Sequence, residues 1–223
     1  MKLIYELFKK YKLKEDKLIE YGFVYNDGIY SYNKLIHNDE FELIINIKNK
    51  MIYGKLIDKD FNDEYNQIDY EVSGGFIEGL KKECEDILLN IRSNCYYKED
   101  FIFDQSNIIS KHIKEKYNVS PEYLWDSEPG FGVFRNPNTN KWFGIIMNIK
   151  RNKIVGKEEK EIEVLNLMLH DKTEYYLNNK NIYPAYHTNK KNWVSIILDE
   201  SLSNDEIINL INISFNNANK KSC

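Results

Sequence analysis

The chain has 223 residues, 42% hydrophobic and 14% aromatic, which is ample for packed cores and excludes a disordered protein. Its formal net charge of -4 excludes a generic polyanion binder, and residues 100–223 balance 16 Lys+Arg against 16 Asp+Glu, so any nucleic-acid affinity must come from a local patch. No apolar run approaches the roughly 20 residues of a membrane-spanning helix. The opening Met1-Lys2-Leu3-Ile4-Tyr5-Glu6 lacks the apolar core of a signal peptide. Cys84, Cys95 and Cys223 show no CxxC spacing, which argues against a disulfide framework or a zinc site. A cytoplasmic protein without membrane association, metal or cofactor is expected.

Leu3, Ile4, Leu7, Phe8 and Tyr11 recur at helical spacing and predict an opening amphipathic helix. A short helix is expected from Glu15 to Tyr21, ended by Gly22 in a left-handed cap. Phe23 to Tyr25 and Ile29 to Tyr32 flank Asn26-Asp27-Gly28 as a hairpin. Phe41, Leu43, Ile45 and Ile47 alternate with polar residues, the pattern of a half-buried strand; Asn49-Lys50 then turns into a further strand, Met51 to Ile57. Carboxylates crowd residues 58–71. No glycine follows Asp60, Asn62 and Glu64 to complete a calcium-binding frame, so a solvated loop is expected. Ile77, Leu80, Cys84, Ile87, Leu88 and Ile91 mark one face of a long helix, with Cys84 as a small core residue. Residues 1–97 therefore read as a small α+β domain of helix, about four strands and helix.

Residues 102–223 read as a second domain. Asp104 is placed to cap a helix bearing Ile108, Ile109, His112 and Ile113 on one face, with His112 packed or half-buried rather than a ligand. Ser120-Pro121-Glu122 has the pattern of a helix start. Phe131 to Arg135 and Lys141 to Ile149, around Asn136 to Asn140, predict a hairpin. Glu161 to Leu169 predicts a strand, Asp171 with Glu174 a cap for a helix through Leu177, and Trp193 to Leu198 the last strand. Ser203 with Glu206 predicts a capping box ahead of a terminal helix carrying Ile207, Ile208, Ile211, Ser214 and Phe215.

Two stretches can meet an anion. Arg135, Lys141, Lys150, Arg151, Lys153 and Lys157 follow one another with no acid between them, as at the turn and ends of a wing gripping a duplex. Composition alone equally describes solvated charges at the ends of a buried strand. The stretch from Tyr183 to Trp193 holds Tyr186, His187, Lys190 and Lys191 and no acid, so it can dock a phosphate or a base, or serve as a plain connection. His187 could do acid–base work. No Ser, Cys or carboxylate stands at a recognisable spacing from it, and neither a phosphate loop nor HExxH occurs, so no catalytic residue is assigned. Glu158, Glu159, Glu161 and Glu163 alternate as solvated carboxylates at a strand start rather than as metal ligands. Trp142 and Trp193 fall in strands, where tryptophan packs a sheet face.

Pro121-Glu122-Tyr123-Leu124-Trp125, Gly132-Val133-Phe134-Arg135, Lys141-Trp142-Phe143, Tyr183-Pro184-Ala185-Tyr186-His187 and Asn189-Lys190 with Trp193 occur in an order and spacing that resemble the MmcQ/YjbR family of small bacterial proteins, over about residues 104–217. Thr188 stands where the family usually has a methionine-like residue, and Asn192 where it often has histidine. Residues 1–97 look like the extension of longer members. The resemblance implies a two-layer α+β domain, an antiparallel sheet backed by helices, similar to frataxin-like and secretion-chaperone-like folds. It also implies non-catalytic DNA binding through paired basic hairpins, a function inferred from fold alone. The site set is then Arg135, Lys141, Lys150, Arg151, Lys153, Tyr186, His187, Lys190 and Lys191, with double-stranded DNA as partner. The alternative is a protein-interaction or adaptor module that forms a homodimer or binds a protein partner.

Overall fold

The computed structural model describes residues 1–70 and 74–220, so Glu71 and Cys223 lie outside the described residues. The chain divides into two compact units, Met1–Glu99 and Asp100–Cys223.

The first unit runs α1 (Lys2–Phe8), β1 (Tyr11–Leu13), α2 (Leu18–Tyr21), β2 (Val24–Asn26), β3 (Ile29–Ile36), β4 (Phe41–Lys48), β5 (Met51–Asp58), β6 (Asp63–Glu64), α3 (Gly75–Cys95) and β7 (Tyr96–Lys98). Strands β2 to β6 form an antiparallel meander in sequence order. Phe41, Leu43, Ile45 and Ile47 of β4 are all buried, as the alternation requires, in one core with Leu80, Cys84, Leu88 and Ile91 of α3. The β2–β3 turn places Asp27 and Gly28 at φ 48° and 81°, the left-handed pair that a tight hairpin demands. Gly54 lets α1 lie close to β5: a Cβ there would sit 2.7 Å from Ile4 Cδ1, and the isoleucine would have to shift. Tyr11 departs from the expected helix. It opens β1, which pairs antiparallel with β7, and its ring lies 4.4 Å from the Arg92 guanidinium carbon. Pairing with a strand more than eighty residues away overrides its helical spacing.

The second unit runs α4 (Asp104–Tyr117), β8 (Glu122–Tyr123), β9 (Gly132–Arg135), β10 (Trp142–Lys150), β11 (Glu161–Met168), α5 (Thr173–Leu177), β12 (Ile182–Pro184), β13 (Trp193–Ile197) and α6 (Asn204–Asn219). One six-stranded sheet, ordered β12-β13-β11-β10-β9-β8, is antiparallel throughout. On one face Phe134, Phe143, Ile146, Leu165, Leu167 and Val194 pack with Ile109 and Ile113 of α4 and Ile207 and Ile211 of α6. On the other, Val133, Ile145, Met147, Val164 and Ile197 are buried among half-buried aromatics, Phe131, Trp142, Tyr183, Tyr186 and Trp193. Each unit is thus α+β, built on an antiparallel sheet.

Five local expectations fail in this unit, the first being the solvated reading of Glu163, which is buried because its carboxylate serves the start of α4. Asp104 does not cap α4. Phe103 holds the cap position, and the buried Glu163 carboxylate accepts the N–H groups of Ile102 and Phe103 at 2.9 and 3.1 Å. The buried face of α4 is Gln105, Ser106, Ile109, Ser110 and Ile113, so Ile108, 49% exposed, departs from the expected stripe, while His112 is half-buried as expected. Pro121 begins no helix. Glu122 and Tyr123 pair instead with Val133 and Gly132 of β9, so sheet pairing outweighs a helix-start pattern. Asp171 makes no cap bond to α5, whose cap position is Lys172. The Ser203–Glu206 capping box forms as written in the sequence.

Candidate nucleic-acid interface

Residues 185–192 connect β12 to β13, and two buried polar side chains hold them. Asn166 of β11 and Ser195 of β13 are cross-strand partners, both fully buried. Asn166 Nδ2 donates to the Tyr186 carbonyl at 2.6 Å and to Thr188 Oγ1 at 3.0 Å. Ser195 Oγ donates to Asn166 Oδ1 at 2.5 Å and accepts the Tyr186 N–H at 2.9 Å. Three of these four bonds tie the loop to the sheet and the fourth joins the two strands beneath it; Thr188 Oγ1 is the one side-chain atom of the loop among them. Asn189 builds the next turn, its carbonyl accepting the N–H groups of Asn192 and Trp193 and its side chain that of Lys191. His187 takes the left-handed conformation (φ 58°) and is exposed, its ring edge-on to Tyr186 at a 4.0 Å centroid distance. Lys190 and Lys191 are exposed and pair with no carboxylate among the described residues.

The β9–β10 hairpin ends at the same edge of the sheet. Arg135 pairs with Trp142, the first residue of β10, and Gly144 lies opposite Leu167, so the strand start sits level with Met168 and Trp193. Two strand spacings, about 10 Å, separate β10 from β13. The hairpin tip is not a free wing. Asn136 is buried and directs Nδ2 at the Phe215 carbonyl, Thr139 Oγ1 donates to the Ala218 carbonyl at 2.8 Å, and Lys141 Nζ donates to that of Lys220 at 2.8 Å. The turn thus satisfies the last carbonyls of α6. Arg135 Nε donates to Glu122 Oε2 at 2.8 Å, and its guanidinium lies 5.4 Å from the Trp142 ring centroid.

Lys150, Arg151 and Lys153 lie at the opposite end. Eight steps along β10 separate Lys150 from Trp142, about 27 Å at ~3.4 Å per residue. Lys150 pairs with Glu159 at 2.6 Å, and Arg151 with Asp199 at 3.2 Å and Glu158 at 4.0 Å; Lys153 is exposed. The hydrogen bond from Lys150 holds the Glu159 carboxyl below its ordinary range. Burial works to raise the Asp199 carboxyl, but its bonds to Ser201 and Arg151 outweigh that and leave it lowered. The candidate set is therefore two groups: Arg135, Lys141, Tyr186, His187, Lys190 and Lys191 at one end of the sheet, and Lys150, Arg151 and Lys153 at the other, the first two of these ion-paired. Among the described residues no three His, Cys, Asp or Glu side chains group as a metal site, and Glu163 is occupied with the start of α4.

The sequence reading missed Asn166, Ser195 and Trp125. The first two carry one detectable signal, an uncharged polar residue flanked by apolar ones, Leu165-Asn166-Leu167 and Val194-Ser195-Ile196. Trp125 sits in the irregular segment after β8, edge-on to Trp142 at 5.8 Å and to Phe131 at 6.3 Å.

The second unit is thus an α+β module, a sheet on two helices with a latched, basic and aromatic loop at one end. Residues 114–217 match the model of the YjbR family. The chain is 41% identical over 108 residues to the uncharacterized protein YyaQ of Bacillus subtilis, a match spanning 48% of this chain and 92% of YyaQ. The chain belongs to the YjbR family. A crystal structure from Pseudomonas syringae is 30% identical with a TM-score of 0.49, covering 52% of this chain and 99% of its own. A solution structure from the same organism gives 29%, 0.48, 54% and 97%. Residues 1–113 lie outside the family match. Among the described residues no helix is long and apolar enough to cross a membrane.

Proposed function

We propose that the protein binds DNA without catalysis, through the sheet end formed by residues 185–192 and the start of β10. The observation that carries this is the pairing of exposed, unpaired Lys190 and Lys191 with His187 on a backbone fixed from beneath by Asn166 and Ser195. A charge on a latched loop meets a phosphate without first ordering its own backbone. Arg135 and Lys141 stand at the same end, while Lys150, Arg151 and Lys153 are left out of the contact. Three or four phosphates met in this way would make log affinity fall with log salt at a slope of about -3.

The test is a titration of a labelled duplex at two salt concentrations with the wild type and a Lys190→Ala, Lys191→Ala double variant. The double variant is expected to lose affinity and to flatten the slope by about 2. An unchanged slope would place the contact elsewhere, and binding of neither the duplex nor its separated single strand at low salt would end the proposal.

A further inference from the structure

We infer that the strand this surface takes is single-stranded DNA, its bases stacked on the Trp125–Trp142 cluster. The inference rests on the DNA-binding proposal above and narrows it. A wing that reads a duplex must push a free tip into or along a groove. Here the tip is tied down at three points: Asn136 is buried, and Thr139 and Lys141 bond the end of α6. What this sheet end does offer is ring surface. Trp125 is 38% exposed, and its ring stands edge-on to Trp142, with the Arg135 guanidinium lying near the latter's ring. Tyr186 and Trp193 are half-buried on the same sheet face, across β11 from Trp142.

Bases in a duplex are already stacked on one another and present edges, whereas unpaired bases carry open π-faces that tryptophan can cover. Charge points the same way. A duplex binder draws most of its affinity from many phosphate contacts. This unit is neutral overall and leaves few cations unpaired at this end. Stacking supplies affinity that does not scale with the number of cations. Lys190 and Lys191 then need only hold the backbone of a strand lying across β13, β11 and β10.

The experiment uses the full chain with a fluorescein-labelled oligo-dT of about 15 nucleotides, near the upper site size of single-strand binders, and a duplex of equal length. Both anisotropy and quenching of tryptophan fluorescence are read. Oligo-dT is expected to bind more tightly than the duplex and to quench the tryptophans. Trp125→Ala should weaken oligo-dT binding about tenfold or more, with Trp125→Phe recovering most of the loss, since a ring face is retained. Should Trp125→Ala fail to fold, quenching decides. Quenching by oligo-dT and not by duplex supports the inference, and its absence overturns it. Duplex binding indifferent to Trp125 overturns single-strand stacking while leaving DNA binding intact. Binding of neither probe overturns both.

Discussion

Asn166 and Ser195 are buried uncharged polar residues in largely apolar strands, and their partners lie about 20 and 9 positions along the chain. Truncating Asn166 to Ala leaves the Tyr186 carbonyl without its Asn166 donor and the Ser195 O–H without its acceptor, although Ser195 Oγ still accepts the Tyr186 N–H. An unsatisfied buried polar group costs roughly 1–3 kcal/mol. Asn166→Ala is expected to lower urea stability by about that amount and to raise amide exchange at Tyr186, which Ser195 alone cannot hold. Exchange unchanged at Tyr186 would show that the loop keeps its shape without the latch. Cys84 makes the contrasting case. Its place on the stripe with Leu80 and Leu88 is readable from spacing, and burial pushes its thiol up to about 12 and that of Cys95 to about 11. The thiolate is the reacting form, so in a Cys223→Ser variant neither thiol should alkylate at mildly alkaline pH until the protein unfolds. The stripe is local information, whereas the Asn166 latch depends on which strands become neighbours.

Elements whose evidence is local were legible, and elements made by pairing were not. Period-two alternation located β4, the Asp27-Gly28 turn located the β2–β3 hairpin, and the Ser203–Glu206 pattern located the start of α6. The two- and three-residue strands β1, β7 and β8 have too few residues to show a period and exist because a distant partner offers its backbone. The capping box gives a test with a pH sign. Ser203 hydrogen bonds lower the Glu206 carboxyl. Stability from that depression is present above the ordinary glutamate range and is lost as pH falls through the lowered folded value. Ser203→Ala should therefore lower thermal stability at neutral pH, with the gap to wild type narrowing as the solution is taken below about pH 4. A gap independent of pH would mean that the hydroxyl cap on the Glu206 N–H, and not the carboxylate, carries the effect.

At the scale of the whole chain, the residues that bear charge were legible and their grouping was not. Arg135 to Lys157 reads as one acid-free run, yet β10 carries its two halves to opposite ends of a sheet, and Glu158, Glu159 and Asp199 return to meet the second half. Among the described residues the cores obey the division into two units: one buried cluster lies wholly within Met1–Glu99, and two others wholly within Asp100–Cys223. YyaQ, matched over 92% of its length by 48% of this chain, is itself a protein of about one unit. Residues 100–223 expressed alone are therefore expected to melt in one cooperative transition with an enthalpy of about 90 kcal/mol, from ~0.7 kcal/mol per residue. The removed half carries 15 Lys+Arg against 19 Asp+Glu, so its loss takes away net negative charge from the molecule. The isolated unit should bind oligo-dT at least as tightly as the full chain at low salt, with the advantage fading at physiological ionic strength, where screening acts within about 8 Å. A fragment that folds and does not bind would assign part of the contact to residues 1–99, and a fragment without a cooperative transition would show that the second unit's cores are not sufficient to fold it.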